Sequence, residues 1–116
     1  PGDKMNGYES QLNNTVNPET GLPDDCGTGG IFHRMDARKI IAEDETWFHV
    51  TILAEGPHIA TWVNGIQVCY FTDDREPHAN PRNGLRVEPG TIQFQGHDPT
   101  TDVRFRNIRI TEMDTE

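Results

Sequence analysis

Apolar and polar residues alternate in short runs along this chain, and no stretch carries the longer period of an amphipathic helix. Successive side chains of a strand point to opposite faces, so each alternating run predicts a strand. The runs are Gly7–Leu12, Gly30–Arg34, Trp47–Leu53, His58–Val63, Ile66–Phe71, Gly84–Val87, Gly90–Gln95 and Val103–Thr111. In the first, Tyr8, Ser10 and Leu12 share one face, and Glu9 and Gln11 share the other. Trp47–Leu53 is apolar on both faces, which predicts a strand covered on both sides. Asn64-Gly65 between two alternating runs predicts a type I′ hairpin, because both central residues of that turn need positive φ.

In Gly90–Gln95, Ile92 and Phe94 point toward a core, while Gln93, Gln95 and the following His97 form a polar stripe. The last run changes phase. Val103 and Phe105 fall on one face and Ile108 and Ile110 on the other, unless a bulge near Arg106-Asn107 brings all four together. Asn13–Gly30 and Thr72–Asn83 read as long polar loops, and Met35–Thr46 as a helical turn or irregular connection. Short strands and turns at regular spacing predict one all-β antiparallel sandwich domain over residues 1–116.

Composition narrows the function classes. Only 33% of residues are hydrophobic, so the core is thin for a small domain. The net charge of −9 argues against nucleic acid and anionic membranes, which need basic patches. No run is long and apolar enough to cross a bilayer as a helix. Cys26 and Cys69 form neither a zinc motif nor a redox motif; they are one disulfide or two unpaired thiols. Asn13-Asn14-Thr15 matches the glycosylation pattern, and a start at Pro1 suggests a processed or excised piece.

The order GYESQL, GGIFHR, the Trp47 strand, WVNGIQVCYFTD, IQFQGH and VRFRNIRI resembles the 3-keto-disaccharide hydrolase family from Gly7 to Thr111. The resemblance implies a concanavalin-like jelly-roll sandwich with a sugar cleft, here the C-terminal part of the family domain. It implies an exported bacterial protein, periplasmic or secreted, that acts on 3-keto-glycosides. A C3 keto group makes the C2 proton acidic. A base removes that proton, the C1 leaving group departs, and water adds to the enone. The chemistry needs a base, a donor for the enolate oxygen and an acid for the leaving group.

Glu9 and Gln11 fall on the family's GYE-x-Q motif, Gln95 and His97 on its L-Q-x-H motif, and Arg106-Asn107 on F-R-N-I. By this resemblance Glu9 and His97 are the candidate base and acid. Gln11 and Gln95 would hold sugar hydroxyls, and His33 and Arg34 would polarise a carbonyl. No metal ligands are assigned, although a divalent ion could serve as the electrophile. Gly96 stands where the family commonly carries an acidic residue, and few residues precede GYESQL, so another polypeptide segment or subunit is expected to cover the sandwich.

Two other functions fit the same residues: a non-catalytic subunit of a larger assembly, and a lectin-like sugar-binding module. Each candidate residue also has a plain structural role open to it. Glu9 and Gln11 can be the wet side of a strand, His97 a turn residue, and Asn107 a backbone partner at a bulge. Trp62, on the His58 face, can be a packed aromatic or a sugar platform.

Overall fold

The structure is a computed structural model that describes residues 7–96 and 98–113. It is all-β, with no helix among the described residues. Its centre is an antiparallel meander of β1 (Val50–Glu55), β2 (His58–Val63) and β3 (Ile66–Thr72), in spatial order β1-β2-β3. The β2–β3 connection is the hairpin that the sequence predicts. Asn64 and Gly65 have φ of 51° and 78°, the positive pair that a type I′ turn requires. The β1–β2 turn is as short, with Glu55 paired to His58 around Gly56-Pro57.

The register of β2 on β3 shifts between Thr61 and Trp62: Trp62 pairs with Gln67 but Thr61 pairs with Cys69. Val68 is therefore an extra residue in β3, and such a bulge re-aims side chains. Consecutive Val68 and Cys69 are both buried as a result, each at 1% exposure. They serve different clusters. Val68 packs with Ala37, Ala42 and Val63, flanked by Ile41 and Phe48. Cys69 packs with Ile31 and Ile59, flanked by Tyr8 and Phe71. Strict alternation in Ile66–Phe71 does not foresee this.

The segments around the meander are pinned to it. Gly29 lies against β2 and β3 at φ 89°, where a Cβ would collide with the side chains of Val68 and Val63. This close approach lets the Thr61 hydroxyl donate to the Gly29 carbonyl at 2.5 Å, satisfying a fully buried polar group. The region predicted as a long loop after Leu12 is more ordered than its composition suggests. Asn13 N donates to Thr28 Oγ1, Thr28 Oγ1 donates to Asn14 Oδ1, and Val16 bridges Pro23. Arg38 N donates to the Val68 carbonyl, so the Met35–Thr46 connection covers part of the β3 edge.

Six of the eight predicted strands differ, two of them simply: Gly7–Leu12 forms one bridge at Ser10, and Gly84–Val87 forms no strand. Gly30–Arg34 supplies one bridge residue, Ile31, before Phe32, His33 and Arg34 turn tightly back to Met35. Trp47–Leu53 is a strand only from Val50, and it is not covered on both sides: Trp47, Val50 and Ile52 are all exposed. Residues 90–96 and 103–113 run without a ladder, and no backbone hydrogen bond ties either stretch to another part of the described chain. Asn107, at the expected phase change, does take a left-handed φ of 54°. It bulges no ladder, however, because the segment has no partner strand among the described residues.

The apolar residues of these last segments are consequently exposed, Ile92 at 68% and Ile110 at 72%. Their few contacts are side chain to side chain. The rings of Phe94 and Phe105 lie 4.4 Å apart, and the Arg106 guanidinium sits 3.9 Å above the Trp47 ring. The Phe94–Phe105 contact agrees with the apolar face assigned to each run. Their burial in a core does not follow.

Candidate functional site

Glu9 and Gln11 lie on the segment that crosses the Ile31 turn. Phe32 N donates to the Glu9 carbonyl and Gln11 N to the Gly30 carbonyl, both at 2.9 Å, while Ser10 bridges Ile31. Tyr8 turns into the core beside Ile31 and Ile59, and the next residue, Glu9, is half-buried. The Gln11 side-chain amide donates to the Asp25 carboxylate at 3.0 Å and to the Asp25 carbonyl at 3.2 Å, so its nitrogen is held by the neighbouring loop.

Glu9, Gln11 and Gln95 all border one open space of about 3530 Å³ between the β1 face and the C-terminal segments. Small-ligand pockets run to roughly 1000 Å³. The space therefore exceeds a sugar cleft. Gln95 is exposed in the unladdered stretch. His97, its partner in the sequence motif, lies outside the described residues.

His33 and Arg34 do not face that space. They line a smaller cavity of about 500 Å³ with Tyr8, Phe32, Asn80, Arg82 and Asn83. His33 occupies the tip of the tight turn with φ 61°, and its ring stacks on Phe32 at 4.0 Å. A non-glycine residue held in the left-handed region is uncommon and is where strain and function tend to coincide. The Arg34 guanidinium donates to the carbonyls of His33 at 3.1 Å and Arg82 at 2.6 Å, which ties this turn to the loop after β3. Tyr8, Phe32 and Arg82 border both spaces.

That loop is held by a network the sequence reading passed over. Asp73, with a fully buried side chain, accepts from the Tyr8 hydroxyl at 2.5 Å and from Arg75 Nε and Nη2 at 2.8 and 2.7 Å. The Arg75 guanidinium, together with the Tyr8 hydroxyl, holds this carboxyl well below the usual carboxylate range despite its burial. Arg75 also donates to the carbonyls of Arg82 and Gly84, and Tyr8 Oη accepts from Arg86 N. Gly84 has no room for a Cβ, which would strike the Glu76 carbonyl and His78. The sequence does carry signals for this site: Asn80-Pro81 is a turn starter, and Asp73-Asp74-Arg75 directly follows the strongest strand.

Cys26 and Cys69 are both free and buried, and both thiols approach the Met35 carbonyl, at 3.5 and 3.9 Å. Burial, with Asp36 adding to it, pushes the Cys26 thiol up to about 12. Burial raises Cys69 as well. Such thiols are structural rather than nucleophilic. Among the described residues no three His, Cys, Asp or Glu side chains converge as metal ligands, and no helix is long and apolar enough to cross a membrane.

No curated protein and no solved structure matches the chain. A family does: residues 1–111 match the 3-keto-alpha-glucoside-1,2-lyase-like domain. Because that match covers nearly the whole sequence, the chain belongs to the 3-keto-alpha-glucoside-1,2-lyase-like family, a carbohydrate-active family with an all-β jelly-roll fold.

Proposed function

We propose that the chain acts on 3-keto-glycosides by elimination across C1–C2 followed by hydration, with Glu9 as the base at C2. The observation that carries this is the placement of Glu9. Glu9 lines the large open space together with Gln11 and Gln95, and its backbone carbonyl accepts from Phe32 N at the start of the turn that carries His33 and Arg34, which supports a base on that side of the turn. In this scheme the sugar spans the border between the two spaces formed by Tyr8, Phe32 and Arg82, with its C3 carbonyl oxygen toward Arg34 and His33, whose N–H groups favour the enolate charge as it develops. Glu9 takes the C2 proton. His97 returns a proton to the departing C1 oxygen, and Gln11 and Gln95 hold hydroxyls. No step is assigned to a metal ion.

The test is consumption of a 3-keto-glucoside, followed by chromatography of the released leaving group. Glu9→Gln is expected to lower the rate by about 100-fold or more while leaving the fold intact, the usual scale for a general base. Retention of full activity in Glu9→Gln would remove the base from the scheme.

A second part of the proposal concerns cover. Alternating residues over 103–111, an exposed β1 face and a space too large for a sugar favour extended polypeptide between them, from another segment or another subunit. Under the non-catalytic alternative the same cover would be the whole function. A correctly folded, covered chain that ignores 3-keto sugars would select that alternative.

A further inference from the structure

The pocket at the His33 turn has a charge character at odds with the chain around it. The protein carries a net charge of −9. Yet among the described residues the side chains around this cavity include Arg34, Arg82 and His33 and not one carboxylate. The nearest buried acid, Asp73, is already neutralised by Arg75.

The donors are also unspent. Arg34 uses part of its guanidinium on two backbone carbonyls, and an arginine has five N–H groups to give. The Arg82 guanidinium and the side-chain nitrogens of Asn80 and Asn83 have no partner among the described residues. The turn that presents them is fixed. Asn80 Oδ1 accepts from Arg82 N at 3.1 Å, Asn83 N donates to the Asn80 carbonyl at 3.0 Å, and the Arg82 carbonyl takes Arg34 and Arg75. A ligand would meet a pocket that is already shaped, which limits the ordering cost of binding.

We propose that this pocket binds a carboxylate-bearing sugar, a hexuronate or aldonate unit, with its carboxylate on Arg82 and Arg34. Guanidinium groups match a carboxylate in a planar, two-bonded fashion that neutral donors cannot copy. The amides of Asn80 and Asn83 suit ring hydroxyls, and Phe32 and Tyr8 supply apolar wall. A cavity of about 500 Å³ accommodates one or two sugar units. The proposal extends the keto-sugar reading, in which His33 and Arg34 hold substrate, by naming the charged group they hold.

Binding is read without turnover, which keeps the two proposals separable. D-glucuronate, D-glucose, acetate and glucose 6-phosphate are titrated into the protein by calorimetry, with side-chain amide NMR signals of Asn80 and Asn83 reporting location. Glucuronate should bind, shift both amides and weaken at least tenfold in Arg82→Gln, an exposed position that leaves the fold unchanged. Glucose should bind at least tenfold more weakly than glucuronate. Equal binding of glucose, or an unaltered affinity in Arg82→Gln, overturns the carboxylate assignment. Acetate binding as tightly as glucuronate overturns the sugar, and tighter binding of glucose 6-phosphate overturns the choice of carboxylate over phosphate. Glucuronate binding by a chain that does not turn over 3-keto-glucosides leaves this proposal standing and removes only the reaction.

Discussion

Residues 7–87 and residues 90–113 have similar sequence character, short alternating runs between turns, and quite different structural fates. In the first region the β2 and β3 runs and Ile31 find partners. Val63, Val68, Ile31 and Ile59 are nearly inaccessible to solvent, and Thr61 and Asp73 are buried with hydrogen bonds. In the second region, Ile92, Phe94, Val103, Phe105, Ile108 and Ile110 alternate too, apart from the phase change after Phe105, and remain exposed. Alternation states which face could be buried. Burial itself needs a second surface, and β strands need a neighbour for their backbone groups.

The largest expected effect that sharpens this contrast is at Asp73. Asp73→Ala removes the acceptor of both Tyr8 and the part-exposed Arg75, and each group left unsatisfied costs about 1–3 kcal/mol. Urea denaturation should show the midpoint falling accordingly, with the Asn80–Asn83 turn loosened. An unchanged midpoint would mean that the ordered region does not depend on this anchor. The same pair sets an acid limit. The Asp73 carboxyl is depressed in the fold, so its contribution is present above the ordinary carboxylate value of about 3.9 and is lost as pH falls below it.

Next in size is a pair of truncations, one in each region. Val63→Ala, in the core at 0% exposure, should cost roughly 2 kcal/mol through lost burial and a residual cavity. Ile110→Ala, at 72% exposure, should fall within about 0.5 kcal/mol of the parent chain. Equal costs would break the comparison, because they would place Ile110 in a core. Smaller again is the alkaline slope from Cys26. Its thiol is raised to about 12 in the fold against an ordinary value near 9, so between those limits the unfolded chain loses the proton and the folded chain keeps it. Stability should decline with pH above about 9. Cys26→Ala should flatten that decline in thermal melts at pH 8 to 10, and an unaltered slope would assign it elsewhere.

Legibility in the sequence followed the same divide. The Asn64-Gly65 hairpin and the all-β class were readable because they rest on local rules, turn chemistry and side-chain period. The bulge at Val68 was not, since it answers to two separate clusters that strand β3 must feed at once. At the candidate site, Glu9 with Gln11 and His33 with Arg34 were readable as motifs. Their division between two spaces was hidden, because His33 and Arg34 are carried off by a tight turn rather than continuing a strand. Asn80, Arg82 and Asn83 were missed for the opposite reason. They looked like loop, and the arginines crossing from residues 34 and 75 add to the loop's own bonds in giving it a fixed shape.

Amide hydrogen exchange resolved by residue tests the contrast between the two regions most directly. Thr61, Val63 and Cys69 should be protected up to the global stability, while amides over 92–95 and 103–110 exchange at nearly the rate of an unstructured peptide until covering polypeptide is supplied. Strong protection over 103–110 in the chain alone would contradict the account.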